Sequence, residues 1–332
     1  MGTTRASGAF LTRRRVLQTA VLSLPRAGVW AQGAAWTPAR PVKLILPQPP
    51  GGAADRLGRA LADKLEARWK QPVVMDNRPG GGVVVGTLAT VRSVPDGYTM
   101  ALLGSSLSIN AVQRKDLPYD VLKDLTALVR VGDYTVALLA ATSFPANDIK
   151  SLIALAKSQP GKLSFGSNGI GTSAQLAGEM LNYMAGVQIQ HVPYNGASKM
   201  YTDMIGGQIP LGFAVLSSAE SFVKAGQMKV LGITSAQRSG IYPQWPTIAE
   251  TLPGFEAVNW AGIMAPAGVP RDLARRISDD ILAVLQAPEM IKALADMGID
   301  PAPQGPVEFQ AFIRDEIARF AKATKPLGTR MQ

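Results

Sequence analysis

The run Val42-Lys43-Leu44-Ile45-Leu46-Pro47-Gln48-Pro49-Pro50-Gly51-Gly52-Ala53-Ala54-Asp55 changes character twice within a few residues. Val42 to Leu46 is short and apolar and reads as a buried strand. Leu57, Ala60, Leu61 and Leu65 then recur at three- and four-residue spacing, which puts them on one face of a helix. Between the two lies a stiff Pro-Pro turn followed by Gly51 and Gly52, where a backbone without Cβ atoms can bend sharply and approach another molecule. The first N–H groups of the helix have no partner inside it, and together they make a site for an anion. On spacing alone, the same pattern also serves a strand-to-helix turn with no ligand.

A second stretch repeats the arrangement. Lys162 to Phe165 reads as a strand, Gly166-Ser167-Asn168-Gly169-Ile170-Gly171-Thr172-Ser173 as a polar flexible loop, and Leu176, Ala177, Met180, Leu181 and Met184 as the apolar face of the next helix. Thr172 or Ser173 suits the cap. No Gly-Lys-Ser/Thr follows, so this is not a Walker phosphate loop. Taken alone, it is a cap after a Gly-rich turn.

Working outward, Gln71 to Asn77 reads as a strand, Val84 to Val91 as a helix, and Thr99 to Leu103 as a strand ending in Gly104-Ser105-Ser106. Alternating strands and helices predict a parallel sheet with covering helices. Ligands of such sheets sit beyond the carboxyl ends of the strands, where the Gly51 and Ser105 loops fall. The apolar stretch Leu125 to Ala140, interrupted at Gly132-Asp133, is expected to cross into another lobe. Gln188 to Pro193 is a further strand, and His191 within it is expected to be a hydrogen-bonded structural residue. Tyr201 to Ile205 reads as a short helix, Leu211 to Val215 and Val230 to Thr234 as strands, and Glu256 to Pro266 as the return to the first lobe. Stripes at Leu273, Ile277, Ile281 and Leu285, and at Phe309, Phe312, Ile313, Ile317 and Phe320, predict two packing helices.

The chain has 332 residues, 47% hydrophobic and 17% charged, enough for two domains with real cores. It has no cysteine and one histidine, which excludes thiolate chemistry and multi-histidine metal sites; no metal and no cofactor are expected. The net charge of +10 is concentrated early: Arg5, Arg13, Arg14, Arg15 and Arg26 precede Ala31 with no acidic residue among them. Without these five, 29 basic residues face 24 acidic ones. There is no dense basic stripe and no nucleic-acid motif. Thr12-Arg13-Arg14-Arg15 running into apolar Val16 to Leu24, with Val29-Trp30-Ala31 before Gln32, has the order of an export signal over residues 1–31. Its paired arginines resemble a twin-arginine signal. Val16 to Leu24 is too short to span a bilayer.

With these motifs in place, the chain resembles the Bug proteins, extracytoplasmic solute receptors of tripartite tricarboxylate transport systems. The resemblance rests on Pro47 to Gly52, Asn77-Arg78-Pro79-Gly80-Gly81-Gly82, Pro95-Asp96-Gly97-Tyr98-Thr99, Leu117-Pro118-Tyr119-Asp120, Pro160 to Ser167, His191-Val192-Pro193-Tyr194, Ile233 to Arg238 and Ala265-Pro266-Ala267-Gly268. It covers nearly everything from Trp36 onward. It implies an α/β, two-lobed type II periplasmic binding protein fold, each lobe a mixed, mostly parallel sheet flanked by helices. Residues 36–130 plus 240–332 would form the first lobe and 131–239 the second. It further implies a periplasmic receptor, monomeric and without enzymatic activity, that captures a small carboxylate (a di- or tricarboxylate, an amino acid or an aromatic acid) and delivers it to integral-membrane transporter subunits. A ligand sensor feeding a signalling partner, or a hydrolase using Ser105, Ser167 or Asp55, are the alternative readings; the hydrolase lacks a nucleophile elbow and an evident histidine partner.

Carried over position by position, the ligand carboxylate would meet Gly51, Gly52, Ala53, Asp55, Ser105 and Ser106 in the first lobe. In the second it would meet Ser167, Asn168, Gly169, Gly171, Thr172 and Ser173, with Tyr194 and Asn195 nearby. Asp55 has three possible roles: contact with a ligand amine, a helix cap, or ordering of the loop. The chain departs from the family pattern at Gln48, where an aromatic residue is common, at Gln175 in place of histidine, at Asn195 in place of lysine, and at Ala214-Val215, which lack an acid or amide. Gln48 thus puts a polar amide at the ligand loop.

Overall fold

Side-chain alternation builds two sheets, each with a separate core on either face. The computed structural model describes Gly2 and residues 36–324; Gly2 apart, the segment read as an export signal lies outside the described residues. Trp36 onward forms one compact unit. In order, the chain makes β1 (Val42–Leu46), α1 (Ala53–Trp69), β2 (Val73–Asn77), α2 (Val84–Val91), β3 (Thr99–Gly104), α3 (Ser106–Gln113) and β4 (Leu125–Tyr134). It continues with β5 (Val136–Ala141), α4 (Ile149–Ser158), β6 (Leu163–Ser167), α5 (Ser173–Ala185), β7 (Ile189–Pro193), α6 (Ala197–Ile205), β8 (Leu211–Val215), α7 (Leu216–Lys224) and β9 (Met228–Ile233). After a 3-10 turn at Ile248–Glu250 come β10 (Asn259–Pro266), α8 (Arg271–Leu285), α9 (Pro288–Asp296), β11 (Ile299–Gln304) and α10 (Pro306–Thr324).

The first sheet runs β11-β4-β10-β3-β1-β2 and the second β7-β6-β8-β5-β9. Both are mixed. β1 pairs in parallel with β2 and β3, and β6 with β7 and β8, while β4, β10 and β11, and β5 with its neighbours, pair antiparallel. The period of two is visible in the cores. Leu44 and Leu46 join Met100 and Leu102 on one face, while Ile45, Ala101 and Leu103 join Trp260 and Phe309 on the other. In β5, Leu138 and Ala140 point to the Phe165 side, and Ala137 and Leu139 to the Met200 side. Each fully buried leucine of this kind contributes about 1.5–3 kcal/mol.

Three local features differ from the sequence expectation. The interruption at Gly132-Asp133 is not where the chain changes sheets: β4 continues through it to Tyr134, and the change falls at Thr135. Gly132 is small because the Asp300 carbonyl oxygen of the paired strand occupies the place of its β-carbon, so it marks a close backbone approach inside a strand. Secondly, the structure adds α3, α7, α9 and β11 to the elements that the sequence pattern predicts. β11 carries Pro301 and Pro303, tolerable because the strand lies at the sheet edge. Thirdly, the helix read from Tyr201 begins four residues earlier, at Ala197.

The chain leaves the first sheet at Thr135 and returns between Ile233 and Asn259. Asp300 of β11 ties this junction. Its Oδ2 accepts from Thr135 Oγ1 (3.0 Å) and Ser239 Oγ (2.6 Å), and its Oδ1 from the Ile241 N–H (3.2 Å).

Candidate functional site

The strand order decides where the loops meet. β1 lies between β2 and β3, so the loops leaving the carboxyl ends of all three converge. Asn77, the last residue of β2, donates from Nδ2 to the Gln48 carbonyl (3.1 Å) and to Asp55 Oδ1 (3.1 Å). Asp55 Oδ2 accepts from the Gly51 N–H (3.0 Å) and Arg59 Nε (2.9 Å), and Arg59 Nη2 reaches Oδ1 (3.2 Å). The Asp55 carboxylate is 4% exposed. Bonding to Arg59 first, and to the Gly51 amide second, holds it at about 2, well below the usual carboxylate range. Of the three roles open to Asp55, these bonds are those of a residue that orders the loop.

The turn itself is left open. Gly52 precedes α1 as its N-cap with no capping side chain, and the one acidic residue of that first turn, Asp55, is already paired with Arg59 and the Gly51 amide. A β-carbon on Gly51 or Gly52 would meet nothing within 4 Å. Gln48, Gly51 and Gly52 are exposed and Ala53 is half-buried. Next door, Ser105 is buried and donates to Asn259 Oδ1 at the start of β10 (3.0 Å), and Ser106, half-buried, opens α3.

In the second lobe the loop after β6 is tightly cross-bonded. Thr172 caps α5, its Oγ1 accepting from the Gln175 N–H (3.3 Å) and donating to the Gly169 carbonyl (2.7 Å). Gln175, 1% exposed, accepts from the Gly171 N–H at 2.8 Å and folds the loop back on its own helix. The Tyr194 N–H donates to the Ser167 carbonyl (3.0 Å), which brings the end of β7 alongside. The Tyr194 hydroxyl turns away to Asp203 (3.0 Å); burial first, and Asp203 second, raise its pKa. Asn168 and Asn195 are exposed, Gly169 and Thr172 half-buried, Gly171 and Ser173 buried.

Ser167 has a partner that the sequence did not reveal. Its Oγ lies 2.7 Å from His191 Nε2 and also bonds the Gly169 backbone. The expectation that no histidine stands near a candidate serine is therefore corrected: parallel pairing of β6 with β7 sets Phe165 opposite His191, and the imidazole stacks on that ring. Burial lowers His191 to about 4, so it is neutral near pH 7. Ser167 is fully buried. The hydrogen-bonded, structural histidine is what the geometry contains.

Three side chains of this region were overlooked in the sequence: Asn77, which joins Gln48 to Asp55; Asn259, which holds Ser105; and Asn110. Asn110 lies on α3 and donates to the Gly82 carbonyl (2.5 Å). Its Oδ1 lies 3.3 Å from the position a β-carbon on Gly171 would take. The helix that begins at Ser106 thus touches the second-lobe glycine loop.

A family model described as the tripartite tricarboxylate transporter family receptor matches residues 57–328. Protein BugT of Bordetella pertussis is 34% identical over 322 residues, covering 96% of this chain and 99% of BugT. Among solved structures, R. palustris Rpa4515, determined with adipate, aligns with a TM-score of 0.80 at 29% identity over 87% of this chain and 97% of its own. The periplasmic binding protein BugD aligns with a TM-score of 0.78 at 28% identity over 88% of this chain and 98% of its own. The family is one of periplasmic solute-binding receptors, and this chain, with its two helix-flanked sheets and its open glycine turns, belongs to it.

Proposed function

We propose that the chain captures a small carboxylate between two lobes in the periplasm, without altering it, and hands it to integral-membrane subunits of a tripartite transporter. The lobes we assign follow the division into residues 36–130 plus 240–332 and residues 131–239, with its first boundary moved to Thr135, where the chain leaves the first sheet. The observation that carries the reading is the uncapped start of α1 at Gly52, open to space, on a loop that Asp55 and Asn77 hold rigid. Gly52 and Ala53 offer amides and Ser106 a hydroxyl, beside Gly51 and Ser105, whose donors Asp55 and Asn259 hold; the Ser167–Ser173 loop is the opposing wall, with Gln48, Tyr194 and Asn195 around it. Two helix starts contribute about 0.3–2 kcal/mol each. Micromolar affinity needs about −8 kcal/mol, so hydrogen bonds and the water released on closure supply the larger part. Adipate in the Rpa4515 structure makes a dicarboxylate the first ligand to test. Secretion across the inner membrane is part of the reading, because of the basic-then-apolar order of residues 1–31.

Calorimetric titration of the protein without its first 31 residues should give saturable binding of adipate or another carboxylate, and none of neutral sugars. Saturation by a sugar alone overturns the reading. The Ser167–His191 contact favours one competitor, a hydrolase. A serine with no exposed surface and an imidazole held near 4 make a poor nucleophile and base at pH 7. Bound acid recovered intact after prolonged incubation is expected, and ester turnover that disappears in Ser167→Ala would establish the hydrolase instead.

A further inference from the structure

Asn110 is 3% exposed and sits midway along α3. Its Nδ2 holds the Gly82 carbonyl (2.5 Å), and one turn later Arg114 Nη1 holds the Gly81 carbonyl (2.9 Å). A side chain of α3 and that of the residue just after its end therefore grip the turn that precedes α2. That turn is an unusual piece of backbone. Gly80, Gly81, Gly82 and Val83 all have positive φ, of 134°, 56°, 62° and 75°. Val83 is β-branched, and such residues avoid this region because the side chain crowds the backbone. From the other lobe comes Gly171, buried, with φ of 74°. A β-carbon there would stand 3.3 Å from Asn110 Oδ1. A carboxamide is planar, with donors on one end and an acceptor on the other. With Nδ2 committed to Gly82, one rigid group spans the first-lobe turn and the second-lobe loop.

We propose that Asn110 and Gly171 form the closing contact between the lobes, with Asn110 the positioning residue that couples the second-lobe glycine loop to the Gly80–Val83 turn. The proposal rests on the receptor reading, since a closing contact has a role only where a cleft opens. Gly171 then suits glycine for two reasons: its left-handed backbone, and an approach to Asn110 so close that a methyl group would have to push the carboxamide back by a few tenths of an ångström. A side chain at 171 facing an intact Asn110 would crowd the contact, whereas a shorter one at 110 would remove it and release the turn.

The chain contains no cysteine, so the double substitution Asn110→Cys, Gly171→Cys introduces one unambiguous pair. A disulfide requires β-carbons roughly 3.5–4.5 Å apart. Mild oxidation of the ligand-free protein should form the crosslink and reduce the radius of gyration measured by small-angle X-ray scattering; reductant should reverse both. Adipate, the probe, should enter the crosslinked form at least tenfold more slowly than the reduced form. A crosslink that leaves the radius of gyration unchanged overturns the inference whatever acid is bound. Compaction of the crosslinked variant together with no carboxylate binding to the unsubstituted protein upholds the closing contact and removes the receptor reading instead. If the double variant does not fold or does not crosslink, Asn110→Ala answers the question alone. It should expand the adipate-saturated protein and speed adipate release about fivefold while thermal unfolding stays cooperative; unchanged dimensions and unchanged release overturn the proposal.

Discussion

Replacing Asp55 by asparagine removes a charge while keeping the shape, and it tests whether that carboxylate is what orders the first glycine loop. The carboxylate accepts from Gly51, Arg59 and Asn77. Its drop from 3.8 to about 2, at roughly 1.4 kcal/mol per pH unit, sets a ceiling of about 2.5 kcal/mol. The Arg59 side chain is 55% exposed, and solvent screening of that pair brings the expected loss in Asp55→Asn to about 1–2 kcal/mol. For a chain of this size each kcal/mol moves the midpoint of thermal unfolding by about 2–4 °C. Because the folded-state pKa is depressed, this stability is fully present above about pH 4 and is lost as pH falls through about 2. The difference between variant and wild type should therefore shrink to about half by pH 3. Differential scanning calorimetry at pH 7, 4 and 3 measures it. In parallel, acids with and without an amino group should lose affinity together, since the loop and not an amine contact is disturbed. No measurable change in the midpoint at pH 7, or a loss confined to amino acids, would refute the loop-ordering role.

Gly52→Ala should change thermal stability by less than about 1 kcal/mol, because its φ of −78° suits any residue and no atom stands in the way, while alanine is a poorer N-cap than glycine; adipate affinity measured by calorimetry should fall if the loop amides hold the ligand. Thr172→Ala should cost about 0.5–2 kcal/mol in denaturant unfolding through loss of the α5 cap. Glu316, 1% exposed against Trp260, is pushed up by burial to about 7. A raised carboxyl pKa means that folding loses stability as pH rises from about 4.5 towards 7. Glu316→Gln should therefore unfold at a higher temperature than wild type at pH 8, by up to about 3 kcal/mol of stability, with the gap closing near pH 4.

The strands that carry the site were legible because buried strands announce themselves as apolar runs between Gly-Pro turns: β1, β3 and β6 were all read near their observed bounds. The α1 and α5 starts followed from glycine, threonine and the apolar stripe behind them. β11 was illegible because Pro301 and Pro303 argue against a strand until one knows that it lies at an edge. α3 was missed because Ser105, Ser106 and Ser108 resemble a loop, and only packing of Leu107 and Ile109 makes them helical. Asn77, Asn110 and Asn259 act across 22, 28 and 154 residues of chain, and contacts at such separations leave no local pattern. The Ser167–His191 bond depended likewise on strand register.

The place of β10 has a consequence for how the molecule comes into being. It inserts between β3 and β4, yet is synthesised only after the entire second sheet. A nascent chain therefore exposes all of Val136 to Ile233, a contiguous stretch with its own sheet, well before the two halves of the other sheet acquire the strand that joins them. Local contacts assemble early and distant ones late. The second lobe can thus mature while its neighbour still waits for residues from Asn259 onward, and a truncation before Asn259 would leave the hydrogen-bonding edges of β3 and β4 without the strand that lies between them.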